Sequence, residues 1–511
     1  MLPVVSVAEM RAVDEEARAT VPTAVLVERA GTALATVAID MLGGAYGKRV
    51  TVLTGRGNNG ADGAVAAGVL TRRGAAVEIV AVDRHPDRIG DRADLVIDAA
   101  LGTGFHGSFD APAVPDATAV LACDIPSGVD GDTGEARGRP LAARRTVTFG
   151  AYKPGLLQGD GPELAGAVTV ADIGLDCSRA AIALVQDVDV RLWVPARPRE
   201  SHKWCSAVFV VAGSPGMTGA AAMCARAAAR AGAGMVRLGV PGAELGEVPA
   251  GEAVGQKLPA AGWAQEVLEA ARRCAAVVVG PGLGRSGTTG AEVRRLVERC
   301  PVPVVVDADG LFALGDATQA AAVVAARETG SGRAPAAGGG SGSGSDPAPG
   351  PASASGSGPD LGSGPGPGSR LGPGSTSGAH RPADVVFTPH DGEYRRIMGT
   401  APGADRVAAA RRLAAACGVV ALVKGSTTAV CGPTGTTMLS TSGSSRLATA
   451  GTGDVLSGVI AAFVARGAGP VEAAAAAAHA HGRAAGLGLA VGLVAGDLPE
   501  LVARWLSDAP G

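Results

Sequence analysis

Residues 447–467, LATAGTGDVLSGVIAAFVARG, set a carboxylate at the end of a Gly-rich turn and then enter an apolar, helix-like run. Backbone N–H groups from Thr449 to Gly453 would face outward where that helix starts, and such a terminus attracts anions. Asp454 follows directly, placed to take a proton from a hydroxyl during phosphoryl transfer. A glycine turn capped by an aspartate is the ordinary alternative for this pattern taken alone. Lys424, in LVKGSTT, ends a strand-like run and is one of only five lysines (48, 153, 203, 257 and 424), so it is a candidate phosphate contact. His390, in TPHDGE, occupies a similar strand end, where a lone histidine is more often structural but its position favours the pocket. GSPGMTGA (213–220), GPGLG (280–284) and DADGL (307–311) are further Gly-rich loops that would surround the same place.

An independent constellation lies nearer the N-terminus. TVLTGRGNNGADG (51–63) reads as a strand, a Gly-rich turn and a helix beginning near Asp62. Gly55, Gly57 and Gly60 would let the backbone approach a ligand, and Asn58 and Asn59 add amide groups, although the spacing is not GxGxxG. LVIDAALGTGFHGS (95–108) puts Asp98 at a second strand end, and ACDIPSGVDGDTG (122–134) puts Asp124 and Ser127 at a third. Open parallel sheets bind ligands outside the carboxyl ends of their strands, so three polar loops there converge on one pocket. Asn59, Asp98 and Ser127 offer only oxygen donors, a set suited to a hard cation. Singly, each carboxylate is equally a turn residue.

These loops need strands behind them. RVTVLTG, AAVEIVAV, DLVIDAAL, AVLACDIP and RTVTFG in the first part, and AVFVVAGS, AAVVVGPG, VPVVVDAD, DVVFTPH and VVALVKG in the second, are continuous β-branched runs followed by Gly-rich turns and Ala-rich helices. That pattern predicts an α/β fold in two domains: a Rossmann-like three-layer parallel-sheet domain over 1–195 and a second α/β domain over 200–507. Two prolines and an Arg cluster in DVRLWVPARPRESHKW mark the boundary. Residues 331–380 are almost entirely Gly, Ser, Pro and Ala, which cannot repay ordering entropy, so a disordered insertion within the second domain is expected. The flanking strand-like segments 303–311 and 383–390 would be sheet neighbours.

A length of 511 residues suits two domains, and 47% apolar content supplies their cores. A net charge of −3 provides no basic footprint for nucleic acid. No basic-then-apolar leader and no apolar run of membrane-spanning length is read, and the eight cysteines show no zinc-ligand spacing. A cytoplasmic enzyme without nucleic-acid or membrane partners, forming a homo-oligomer, is expected.

NNGADG, DAALGTG, DIPSG and TFGAYKPGLLQGDG, in this order and spacing, resemble the NAD(P)H-hydrate epimerase domain over roughly residues 1–190. The resemblance implies that Asn58, Asn59, Gly60, Ala61 and Asp62, with Gly102, Thr103, Gly104, Phe105, His106, Gly107, Ser108 and Asp124, bind a hydrated nicotinamide nucleotide. It further implies that Asn59, Asp98 and Ser127 hold K+. The family usually has Gly where Ala61 stands, which would strain the loop only if that position required positive φ. The second part is similar to the ribokinase-like superfamily, and TPH followed by GE, KGSTT and ATAGTGDVLSG resemble its ADP/ATP-dependent NAD(P)H-hydrate dehydratases. There the resemblance implies that Ala220, Gly284, His390 and Asp454 contact the hydrate, and that Lys424, Gly425, Ser426, Thr427, Thr428 and Gly453 contact ADP with its Mg2+. A Gly that the family carries before the strand AVFVV is missing near 203–206.

The implied activity is repair of NADHX and NADPHX, hydrated at the nicotinamide C5–C6 bond: epimerisation by the first domain, with Asp124 as acid/base, and ADP-driven dehydration of the S form by the second, with Asp454 as base. The alternatives are a ribokinase-like kinase of a small alcohol and a first domain that only binds nucleotide.

Overall fold

A computed structural model of the chain describes residues 1–84, 87–247, 251–330 and 384–508. In the first part six parallel strands form one sheet in the order Ala76–Ala81, Arg49–Thr54, Leu95–Ala99, Ala119–Cys123, Arg145–Phe149 and Ala167–Ala171. Its middle strands are apolar on both sides because both faces are covered. Leu34, Val52, Leu70, Ile97 and Leu121 fill one face, and Leu53, Val96, Val120 and Ala122 the other.

The second sheet has eleven strands among the described residues. Seven run parallel, from the edge strand Val254–Leu258 through Met235–Pro241, Ala207–Val211, Ala276–Val279, Val304–Val306 and Val385–Phe387 to Val420–Val423. The helices Gly219–Arg230, Thr452–Ala465 and Pro470–Leu487 cover one face, whose core is dense in alanine and valine. Val304 pairs with Val385, so the segments flanking the Gly/Ser/Pro-rich stretch are adjacent parallel strands, as expected. The stretch itself, 331–380, lies outside the described residues.

The chain's two parts share a sheet, which the motif pattern did not foretell. Leu2–Val4 pairs antiparallel with Ile182–Leu184, and that strand pairs parallel with Thr437–Ser440, so the two N-terminal segments form one edge of the larger sheet. The two three-residue strands of the N-terminal part that do this are too short to carry a periodic signal. The helix expected near Asp62 begins earlier, at Asn58, because Gly57 is its extended N-cap. Ala61 therefore sits inside the first turn, its amide donating to Gly57 O at 3.2 Å, and it is not among the residues with positive φ. Alanine is unstrained there.

Candidate functional site

Two separate sites form at strand ends. In the first sheet a cavity of about 550 Å³ opens above the strand termini, lined by Asn58, Asn59, Asp62, Gly102, Thr103, Gly104, Phe105, Asp124 and Lys153, with Arg11, Asp14 and Arg18 from the first helix. The turn before helix Asn58–Arg72 is shaped by contact: a Cβ on Gly60 would lie 1.9 Å from Gly55 O, and one on Gly55 would lie 1.9 Å from Ala100 O. Only glycine allows that approach, and it brings the helix start at Asn58 and Asn59 to the cavity wall. Of the expected residues, Gly60, Ala61, His106, Gly107 and Ser108 do not line it. His106 Nε2 instead lies 3.3 Å from an Arg11 guanidinium nitrogen.

Asp124 holds φ at 67°, an unfavourable value for a side-chain-bearing residue, immediately after its strand. Its carboxylate accepts from the Lys153 ammonium at 2.7 Å and from the Thr148 hydroxyl at 3.1 Å. Lys153 is 1% exposed and also donates to Thr148 Oγ1 and Phe149 O. Asp62 has no such partner among the described residues. Burial, then the nearby Asp124 and Asp14 carboxylates, pushes it up to about 7.

Beneath the cavity lies the oxygen cluster. Asp98 is wholly buried; Ser127 donates to it from its amide at 2.9 Å and its hydroxyl at 2.6 Å. No ion pair reaches it among the described residues, and burial raises its pKa despite those bonds. Asn59 Nδ2 donates to Leu101 O at 3.0 Å and Cys123 O at 2.8 Å, leaving Oδ1 without a donor among the described residues. An unpaired buried carboxylate beside a free amide oxygen and a hydroxyl fits a monovalent cation by donor chemistry.

In the second sheet the helix Thr452–Ala465 is entered through Gly451 at φ 94°. The amides of Gly453 and Asp454 find no protein acceptor among the described residues, the open N-terminus that the GTGD turn predicts. A Cβ on Gly453 would stand 3.0 Å from Lys424 Nζ, so the missing side chain keeps that ammonium accessible from the turn. Lys424 pairs with Asp307 at 2.8 Å, and Asp307's other oxygen accepts from Ser457 Oγ at 2.7 Å. Burial first, then Asp307, raises Asp454 to about 7, with Lys424 pulling the other way.

Ala308, in DADGL, is the other non-glycine residue with positive φ, 49°, among those described. Each site thus has one strained residue at a strand end. Asp309, beyond it, accepts from the Gly284 amide at 2.9 Å and from Arg285 Nε at 2.7 Å. His390 caps helix Asp391–Met398, its Nδ1 accepting from the Gly392 amide at 3.0 Å, and it borders a cavity of about 250 Å³ that does not include Asp454. Ala220 abuts Gly282. Gly425 and Ser426 are exposed, Thr428 begins a strand, and Thr427 is buried with its hydroxyl donating to Leu157 O.

Lys153, Asp307, Ser457 and Asp309 had no role in the motif reading. Lys153 stood out only as a rare lysine in a motif-like loop, and no spacing rule links it to Asp124. Among the described residues no group of three His, Cys, Asp or Glu side chains is arranged to hold a metal, and no helix is long and apolar enough to cross a membrane.

Two parallel-sheet sites, each with a lysine–aspartate pair and a carboxyl raised by burial close to its strand ends, define an α/β protein with two candidate sites. A family model described as NAD(P)H-hydrate dehydratase matches residues 208–329 and 375–506, and one described as YjeF-related protein N-terminus matches 23–91 and 82–155. The chain is 36% identical to the bifunctional NAD(P)H-hydrate repair enzyme Nnr of Mycobacterium leprae, covering 98% of this chain and 97% of that one. It is 35% identical to the protein of the same name from Mycobacterium tuberculosis strain H37Rv, covering 92% and 90%. A solved ADP/ATP-dependent NAD(P)H-hydrate dehydratase from Bacillus subtilis, co-crystallized with ATP/Mg2+, aligns with a TM-score of 0.46 at 23% identity over 64% of this chain and 99% of its own. The chain belongs to the family of bifunctional NAD(P)H-hydrate repair enzymes.

Proposed function

We propose that the protein restores hydrated nicotinamide nucleotides, residues 1–195 interconverting the R and S epimers of NADHX and NADPHX and residues 200–507 dehydrating the S form to NAD(P)H. ADP is consumed and leaves as AMP and phosphate. The observation that carries this reading is the pairing, at each of two strand-end sites, of open helix amides with a carboxyl raised to about 7. Such a group exchanges protons at neutral pH, and the amides take phosphate.

In the second site Asp454 takes the proton of the C6 hydroxyl, whose oxygen attacks the terminal phosphorus of ADP while AMP departs. Phosphate is a far better leaving group than hydroxide. The C6–O bond then breaks, a proton leaves C5, and the ring double bond returns. The Gly453 and Asp454 amides and the Lys424 ammonium face the transferring group and offset its charge. Mg2+ supplies charge neutralisation on the phosphates; with no three-carboxylate cage among the described residues, it would be held chiefly by the nucleotide. Ala220, Gly284 and His390 border the hydrate, and Lys424 through Thr428 the nucleotide.

In the first site the cavity-lining members of the segments 58–62 and 102–108, Asn58, Asn59 and Asp62 with Gly102 to Phe105, hold the hydrate. Asp124, kept in place by Lys153, and Asp62 form the acid/base pair: one protonates the C6 hydroxyl as it leaves as water, the ring nitrogen stabilising the cation, and the other takes a proton from the water that adds to the opposite face. Asn59, Asp98 and Ser127 would hold K+, which neutralises Asp98 and orders the two loops that carry it. A homo-oligomer and a cytoplasmic location complete the proposal, the former checked by light scattering.

The test offers mixed epimers of hydrated NADH with ADP and Mg2+ and follows reduced-nicotinamide absorbance. Recovery of both epimers faster than spontaneous epimerisation allows supports both activities. A stable phosphorylated product without that recovery would mark a small-alcohol kinase instead.

A further inference from the structure

The cavity beside His390 contains a cationic arrangement that the chemistry above does not use. It is lined by Arg285, Phe312, Arg396, His390, Glu393 and Leu311, among others. Both guanidinium groups lie against one ring: Arg396 Cζ is 3.4 Å and Arg285 Cζ 4.6 Å from the Phe312 centroid. Arg285 is partly neutralised by Asp309 at 2.7 Å. Arg396 donates to Phe312 O at 3.2 Å and has no carboxylate partner among the described residues. Glu393, the acidic group on the wall, is turned to His390: Oε2 accepts from the His390 amide at 3.0 Å and Oε1 lies 3.5 Å from Nε2.

Two arginines stacked on a ring are pre-ordered, so they lose little freedom on gripping an anion, and their planar forks match phosphate oxygens. The same wall continues into the hydrate site, since Asp309 binds both Arg285 and the Gly284 amide. The geometry points to Arg285 and Arg396 as the residues that grip a phosphate of the hydrate in the dehydratase site, either its diphosphate or its 2′-phosphate. This assignment rests on the proposed dehydration of NAD(P)HX.

The experiment measures dehydration of NADHX and of NADPHX by wild type, Arg396→Ala, Arg285→Ala and the charge-keeping Arg396→Lys, alongside pyrophosphate titration by calorimetry. Loss of a charge-assisted phosphate contact raises KM about tenfold or more with kcat within about twofold, and Arg396→Lys recovers part of it. A rise for both substrates identifies the diphosphate, and a rise for NADPHX alone the 2′-phosphate. Unchanged KM for both, in an active enzyme, overturns the inference. If wild type turns over neither substrate, the functional reading falls by itself, and the titration then decides: retention of full pyrophosphate binding by the Arg285→Ala/Arg396→Ala double variant overturns the phosphate site, and loss of one equivalent supports it.

Discussion

The Lys153 ammonium meets the Asp124 carboxylate at 2.7 Å with both residues buried, 1% and 7% exposed, while Asp124 holds a left-handed backbone. The ion pair and the strain occur at one residue, in the wall of the first cavity. A buried pair is costly to break because the surviving charge stays desolvated. Lys153→Met is therefore expected to destabilise the fold by about 3–5 kcal/mol and to remove epimerase activity. Urea unfolding and the epimerisation assay measure the two effects; an unchanged midpoint would show that Asp124 needs no counter-charge.

Asp454 makes its own prediction in pH. Its carboxyl, at about 7 in the folded protein, must be ionised to act as base. Dehydration kcat/KM should rise tenfold per pH unit below that value and level off above it. A profile flat between pH 5 and 8 would remove Asp454 from the proton transfer.

The same shift bears on stability. A carboxyl that titrates at about 7 when folded and about 4 when unfolded takes up a proton on folding, so its contribution to stability falls as pH rises between those values. Asp454→Asn should abolish dehydration, keep nucleotide binding, and raise the Tm at pH 8, corresponding to a gain of about 2–4 kcal/mol, with little change at pH 4. Equal Tm shifts at both pH values would contradict the burial argument.

Asp98 carries the cation prediction. K+ should raise the Tm relative to equal ionic strength of tetramethylammonium, because an ion bound only by the folded state stabilises it. Ser127→Ala should weaken that dependence at least about tenfold in K+ concentration. Identical melting in both salts would remove the ion from this cluster.

Gln158 ties the two parts of the chain. Its Nε2 donates to Asp132 O at 2.7 Å and Asp405 Oδ1 at 3.2 Å, and its Oε1 accepts from the Arg406 and Val407 amides at 3.0 and 3.3 Å. The residue is 2% exposed, so Gln158→Ala would leave several of these groups unpaired and should cost about 1–3 kcal/mol in urea unfolding.

Residue order alone revealed the parallel strands, the Gly-rich ends and the acid at 454, because buried β-branched runs and helix N-termini have local signatures. It also singled out Asp98 and Ser127, which bond to each other in the structure. It did not reveal that Lys153 neutralises Asp124, that Asp307 holds Lys424, that Arg285 and Arg396 share Phe312, or that Leu2–Val4 joins a strand of the far sheet. Nor did it show that His390 works as a helix cap. Those facts depend on which buried charges meet across strands far apart in the chain. Desolvation makes such partners obligatory, but only the folded arrangement decides which partner is near enough to serve.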